Sequence, residues 1–313
     1  MAVLELFSSP IRTRYNASIC TKATIFAVLA FLFTVIPPFL IAYRSEGFWI
    51  KQAYYREQPD VKFKHQILLI LQTDSQTSYI TWSTYLNFNL LEQANLRIPL
   101  VKSREEDSNR DGKNDKFIFS IEVPVLDSEK VHGAQLIFIF DYRLYRFSDV
   151  RMEAMAYVSH TSAIAGAELN MDGDLHLRLK QPLAHKGYDT RYDVPIIDST
   201  SVFAEDYTFS KIFASYQQRN ISTRFECDYP IWLTGRGAGQ PFTIKGTIYY
   251  PEETIVYIPG FWQVIKYGWI QYLSVLFLFI FLMERVKAFV FENQIVNTIV
   301  QHPVPLTYKN HFT

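Results

Sequence analysis

The stretch Ala23–Tyr43 reads ATIFAVLAFLFTVIPPFLIAY and carries no charge. A hydrocarbon core about 30 Å thick needs roughly 20 helical residues, and a buried helix of a soluble domain seldom stays apolar around its whole circumference for so long. The stretch is therefore read as a membrane-spanning helix. A cleaved leader is the competing reading, but Ile41-Ala42-Tyr43 lacks a small-x-small cleavage pattern, and an uncleaved anchor is favoured. Pro37 and Pro38 remove two backbone donors from the later turns, a loss that membrane helices tolerate. Ala23, Ala27 and Ala30 place small side chains at helical spacing, where a second helix can approach.

A second uncharged run, Tyr267–Met283 (YGWIQYLSVLFLFIFLM), lies between Lys266 and Glu284. Tyr43, Phe48 and Trp49 follow the first run, while Phe261, Trp262, Tyr267 and Trp269 precede or open the second. Both sets suit one aromatic belt at a shared interface. Two crossings put both termini on the same side. Arg12, Arg14 and Lys22 before the first run are matched by Arg44, Lys51 and Arg56 after it, so only the second votes clearly, with Arg285 and Lys287 behind and Lys266 in front. Together with the acceptor sequon Asn220-Ile221-Ser222 in an expected loop, this assigns the termini to the cytosol. The expected organisation is a cytosolic segment 1–22, a first transmembrane helix 23–43, an extracytoplasmic domain 44–263, a second transmembrane helix 264–283 and a cytosolic tail 284–313. Asn220 is the expected glycosylation site, and Asn16-Ala17-Ser18 would remain unused on the cytosolic side.

The chain has 313 residues, of which 49% are hydrophobic and 16% aromatic, with 31 basic and 31 acidic side chains. So many aromatics exclude disorder, and a pI near 7.1 leaves no bulk positive charge for nucleic acid. Two cysteines exclude a disulfide scaffold, and Cys20 and Cys227, on opposite sides of the bilayer, cannot pair within the chain. Cys20 is juxtamembrane and open to acylation. The neutral total is a cancellation: residues 44–263 hold 24 basic and 28 acidic residues, the rest 7 and 3.

Between the two apolar runs the sequence reads as short strands: Gln66–Gln72, Tyr79–Phe88, Lys116–Val125, Ala134–Tyr145, Met152–Ser159, Asp174–Lys180 and Phe242–Tyr250. Lys116–Val123 alternates polar and apolar residues, and Met171-Asp172-Gly173-Asp174 carries the Asp-Gly signal of a tight hairpin. The expected class is an all-β, β-sandwich-like extracytoplasmic domain between two transmembrane α-helices, built as one sandwich or two. Phe209–Arg219 is the best helix candidate, with Ile212, Phe213 and Tyr216 on one face.

No G-x-S-x-G or H-E-x-x-H occurs and the seven histidines are scattered, so no catalytic constellation is visible and the chain is not expected to be an enzyme. Gly235-Arg236-Gly237-Ala238-Gly239 lacks the Lys-Ser/Thr of a phosphate loop and reads as a strand connection. The sharpest local pattern is Asp107-Ser108-Asn109-Arg110-Asp111-Gly112-Lys113-Asn114-Asp115. Asp107, Asn109, Asp111, the Lys113 carbonyl and Asp115 would turn oxygens toward one calcium ion, with Gly112 allowing the sharp turn. The bidentate twelfth ligand is missing, since Ile118 stands there, so a solvated acidic turn outweighs the calcium reading. No other cofactor is expected. Neither apolar run has an ionisable residue away from its edges, as a transport path would need. A channel or receptor subunit with a ligand-binding ectodomain is the competing class. Its families have disulfide-rich ectodomains, whereas only Gln271 and Ser274 offer polar pore-lining groups here.

Met1-Ala2-Val3-Leu4-Glu5-Leu6-Phe7, Tyr43-Arg44-Ser45-Glu46-Gly47-Phe48-Trp49, Arg104-Glu105-Glu106-Asp107 with its Asp111-Gly112-Lys113 turn, and Pro259-Gly260-Phe261-Trp262 resemble the transmembrane protein 231 family. The resemblance extends over nearly the full length. It implies a two-pass, non-enzymatic structural component of the ciliary transition zone, contributing to cilium assembly and to the diffusion barrier between ciliary and plasma membranes. It also implies tectonic and B9-domain proteins as partners, beside the lipid bilayer. Contacts would be made by the ectodomain outside the membrane and by the tail with Pro303-Val304-Pro305 inside the cell.

Overall fold

The computed structural model describes residues 13–46, 48–74 and 79–301; Met1–Phe7 and Pro303–Pro305 lie outside the described residues. In chain order the first elements are β1 (Arg14–Asn16), α1 (Lys22–Arg44), β2 (Ala53–Glu57), β3 (Asp60–Thr73), β4 (Tyr79–Ser83), α2 (Leu86–Leu91), β5 (Leu100–Glu106), β6 (Lys116–Val123) and β7 (Val131–Leu144). They are followed by β8 (Ser148–Thr161), β9 (Gly166–Leu179), β10 (Gly187–Tyr192), a 3-10 turn Ala204–Tyr207, α3 (Phe209–Gln218), β11 (Ile221–Glu226), β12 (Ile231–Thr234), β13 (Phe242–Tyr249), β14 (Glu253–Tyr257), α4 (Phe261–Glu292) and β15 (Ile299–Gln301). The chain divides into two compact units, one made of residues 1–51 with 260–313 and the other of residues 52–259.

The first unit is an antiparallel pair of helices closed by a short ribbon in which β1 pairs with β15. α1 remains helical through Pro37 and Pro38, and among the described residues it is the one helix that is long and apolar enough to cross a membrane. α4 has 32 residues, extending beyond the expected 264–283 at both ends. Phe26 meets Phe291 with ring centroids 5.8 Å apart, Phe39 meets Tyr272 at 6.4 Å, and the Ser45 hydroxyl donates to Gln271 Oε1 at 3.1 Å. Ala23, Ala30, Pro38 and Ala42 form the buried seam of α1, whereas Ala27 is exposed. On α4 only Gly268 is fully buried, because the Phe48 ring lies where its Cβ would stand, 2.4 Å away. The outer faces stay apolar and exposed, with Phe31, Phe33 and Leu40 on α1 and Phe277, Leu278 and Phe281 on α4.

The second unit is a single sandwich. One sheet has the order β10-β8-β7-β3-β4; the other runs β11-β9-β13-β6-β5, with β12 also paired to β9. The alternation in Lys116–Val123 gives β6 one inward face, Phe117, Phe119, Ile121 and Val123, all buried, matched in register by Phe242, Ile244 and Ile248 of β13. Phe63 and Phe138 of the facing sheet meet these rings, with centroids 4.4 Å apart for Phe63–Phe117 and 4.6 Å for Phe119–Phe138. Both sheets are mixed, since β13 pairs with β9 and β10 with β8 in parallel.

The five-stranded sheet is buried on both faces, which explains why Ile67–Leu71 and Leu136–Phe140 read as continuous apolar runs without alternation. Leu68, Ile137, Ile139 and Met155 point away from the sandwich into a second core with Tyr85, Phe88, Ile196, Ile197, Tyr207, Ile212 and Tyr216. α3 therefore covers this face with the side chains expected of it, Ile212 and Tyr216 buried and Phe213 against Tyr157. α2 was expected as the end of a strand through Phe88. The strand stops at Ser83, where Asn89 Oδ1 accepts the Ser83 N–H and Asn89 Nδ2 donates to the Ser83 carbonyl, and a helical turn buries Phe88.

The expected Asp172-Gly173 hairpin is not formed: both residues lie inside the continuous strand β9. Gly173 serves a close approach instead, because a Cβ there would stand 2.2 Å from the Glu226 carbonyl oxygen at the end of β11. Beyond Met152, β8 has β7 on one side only, and β11 of the other sheet stands at its free edge. The two edges join through side chains. Thr223 Oγ1 donates to the Met155 carbonyl at 2.9 Å and accepts the Met155 N–H at 3.1 Å, while the Tyr216 hydroxyl accepts the Thr223 N–H at 2.8 Å and lies 2.9 Å from Thr223 Oγ1.

Candidate functional site

The acidic loop joins β5 to β6, two neighbouring antiparallel strands, so Asp107 and Asp115 face each other across its neck. Arg110 (φ 61°) and Gly112 (φ 88°) supply the left-handed backbone that closes it. The carboxylates turn inward onto the loop's own amides. Asp107 accepts the N–H groups of Arg110 at 2.6 Å and Gly112 at 2.9 Å; Asn109 Oδ1 accepts that of Asp111 at 2.9 Å, and Asp111 Oδ1 that of Lys113 at 2.8 Å. Asp115 accepts the Ser108 N–H at 2.7 Å and the Gln58 amide at 2.8 Å. The Gln58 hydrogen bond, ahead of the Ser108 and Asn109 amides, holds the Asp115 carboxyl below its usual range. The Lys113 ammonium reaches back to the Gln58 carbonyl at 2.6 Å and anchors the loop to the β2–β3 connection.

All five sequence-predicted ligands thus belong to one loop, with the oxygens of Asp107, Asn109, Asp111 and Asp115 occupied by N–H donors. Among the described residues no group of three or more His, Cys, Asp or Glu side chains is placed to hold a metal ion. Such Asx-type bonding is what an acidic turn needs to order itself without a cation. The glycine-rich run connects β12 to β13, as expected of it. Arg236 locks it by donating to the carbonyls of Val125, Leu126, Glu129 and Gln240 at 2.7–3.0 Å.

Asn220 lies one residue before β11. Its Nδ2 donates to Gln181 Oε1 at 3.0 Å on the surface, and its backbone N–H donates to the Tyr192 hydroxyl at 3.0 Å. Cys227 is half-buried and unbonded to another thiol, and burial raises its pKa. Cys20 is exposed.

Sequence reasoning passed over the charged group buried deepest in the second unit, Glu153, 3% exposed on the face covered by α3. Its carboxylate pairs with the Lys64 ammonium and accepts the Ile196 N–H at 2.7 Å. Arg219 donates to the Glu153 carbonyl at 3.1 Å and stacks over Tyr192 and Tyr216, and burial lowers its pKa. The signal was present as a lone carboxylate in the apolar run Met152-Glu153-Ala154-Met155-Ala156. The Ile196, Tyr192 and Arg219 contacts fix the 192–196 segment and the end of α3 to the sheet, and the Lys64–Glu153 pair ties β3 to β8.

With no convergent reactive set in view, relatives carry the assignment. A family model described as Transmembrane protein 231 matches residues 1–300. The chain belongs to the transmembrane protein 231 family. Curated members include the Xenopus tropicalis protein, 46% identical over 311 residues and 99% of both chains. The Mus musculus protein is 48% identical over 96% of this chain and 95% of its own, and the Homo sapiens protein 47% identical over 98% and 96%. All three are named Transmembrane protein 231, and the matches cover both helices and the sandwich together. The structure of a proton-activated chloride channel aligns over 84% of this chain at 7% identity with a TM-score of 0.22, too low to argue a shared fold. Family membership and the apolar α1 make the chain a membrane protein of the transmembrane protein 231 family.

Proposed function

We propose that the chain is a non-enzymatic structural component of the ciliary transition zone, contributing to cilium assembly and to the barrier between ciliary and plasma membranes. The observation that carries this reading is the near-full-length likeness to transmembrane protein 231 relatives, at 46–48% identity. Its supports are the exposed apolar faces of the helix pair and a sandwich whose buried charges are spent on architecture. Both α1 and α4 cross the bilayer, the termini are cytosolic, and residues 44–263 lie outside the cytoplasm, where the surface of the sandwich meets neighbouring ectodomains. Tectonic and B9-domain proteins are the partners in this reading. The cytosolic assignment of the tail rests on Arg285 and Lys287 behind the second apolar run.

Three measurements test it. Tagged protein in ciliated cells is expected as a band at the cilium base; uniform spread over the plasma membrane refutes the transition-zone role. Removal of N-glycans is expected to increase gel mobility in the natural chain and not in Asn220→Gln. Protease cleavage of the sandwich from the cytosolic side of sealed membranes would overturn the topology.

A further inference from the structure

We infer that the helix pair is matched to a bilayer thinner than average, with phospholipid headgroups drawn toward Arg285 and Lys287. The inference rests on the two-pass reading above. Taken singly, each apolar run passes for an ordinary span, 21 residues in α1 and 17 in α4. Their register against each other changes the length that matters.

The contacts fix that register. Ser45 bonds Gln271, Phe39 meets Tyr272 and Phe26 meets Phe291. Glu284, Arg285 and Lys287 therefore fall between the last two contacts, alongside the uncharged part of α1. From Phe291 back to Glu284 is seven residues, about 10 Å at 1.5 Å per residue. Arg44 stands at the level of Gln271, so the belt uncharged on both helices runs from Gln271 to Glu284, 13 residues or about 20 Å. An ordinary hydrocarbon core is about 30 Å thick.

The missing 10 Å or so cannot come from tilt, which shortens the projected belt further. Lys287 can extend its head along the helix toward the headgroups, whereas the Arg285 guanidinium lies over the Phe281 ring at 5.6 Å, one turn back toward the belt. Glu284 is short and exposed and has no such reach. Among the described residues none forms an ion pair with Glu284, Arg285 or Lys287. The remaining way to keep three charged groups out of hydrocarbon is to bring the lipid phosphates to them, at the cost of thinning the leaflet.

The test uses the full chain in vesicles of dimyristoleoyl, dioleoyl or dierucoyl phosphatidylcholine. Trp49, Trp262 and Trp269 flank the runs and report lipid contact by quenching with brominated lipid. The natural chain is expected to bind the shortest lipid several-fold more tightly than the longest. The triple variant Glu284→Leu, Arg285→Leu, Lys287→Leu extends the uncharged run to Phe291 and should move the preference toward dioleoyl lipid or beyond. Glu284→Gln, a smaller change, should move it part of the way. Equal binding of all three lipids by the natural chain overturns the inference, as does an unchanged preference in folded variants. Absence of quenching in every lipid refutes membrane insertion itself and so separates failure of the two-pass reading from failure of the matching.

Discussion

Thr223→Val tests how the sandwich closes. The substitution keeps shape and removes only the hydroxyl, at a residue 6% exposed. Met155 N–H keeps an acceptor, since the Tyr216 hydroxyl lies 3.2 Å away, but the Met155 carbonyl loses its donor and the Tyr216 hydroxyl loses its neighbour at 2.9 Å. The Met155 carbonyl is left unpaired at about 1–3 kcal/mol, and the Tyr216 hydroxyl, which still accepts two N–H groups, loses one hydrogen bond at about 1 kcal/mol, so a loss of roughly 2–4 kcal/mol is expected. For a body of this size that lowers the melting temperature by roughly 5–15 °C. Tyr216→Phe leaves the Thr223 N–H without its acceptor and should cost about 1–3 kcal/mol. The double variant takes both acceptors from the Met155 N–H and so should be less stable than either single variant. Urea titration of the purified full chain, followed by near-ultraviolet circular dichroism, measures all four corners of the cycle. A Thr223→Val loss under about 0.5 kcal/mol would show that the two sheet edges are not held by these side chains.

Further expectations concern the glycines and the acidic loop. Gly246→Ala puts a Cβ 2.2 Å from the Met171 carbonyl oxygen of the parallel neighbour β9, and should cost at least the roughly 1–3 kcal/mol of overpacking; melting at the natural temperature would contradict this. Millimolar calcium should leave the melting temperature unchanged, because the loop oxygens are already bound by amides; a clear rise would restore the cation reading. Asp115, held down by Gln58, and Asp189, held down by Arg191, have folded pKa values below their unfolded ones. Their contribution is therefore present above about pH 4 and lost as pH falls through the lower folded values; Asp115→Asn should flatten the acid limb of a melting profile, and an identical limb would count against it.

The sequence made the inner face of β6 plain because one face of that sheet is solvated, so the period of two survives from Phe117 to Val123. It hid the position of β3 and β7 within the layers, because burial on both sides erases the alternation that would have told inside from outside. Edge strands β2, β5, β10, β12 and β14 carry few buried apolar residues and left little periodic trace. Gly173 misled because glycine beside aspartate signals a turn locally, while here it makes room for a carbonyl distant in the chain. The loop ligands were legible as a group from spacing alone; that their oxygens would be claimed by Arg110, Gly112 and Ser108 amides depended on the left-handed backbone at Arg110 and Gly112.

The pairing of β2 with β14 has a mechanical consequence. Ala53 lies opposite Tyr257 and Glu57 opposite Glu253 in a two-stranded ribbon of their own, so the first and last strands of the second unit leave it side by side from the same end. Tension applied to the two ends opens such a ladder one rung at a time, like a zipper, and does not shear all five rungs together. Pulling on the ends of this unit would therefore open the clasp first, drawing out Tyr55, Ile255 and Tyr257 before the load reached the rings of Phe63, Phe117 and Phe138. The clasp acts as a mechanical fuse, yielding before the ring cluster between the two sheets when the ends are drawn apart.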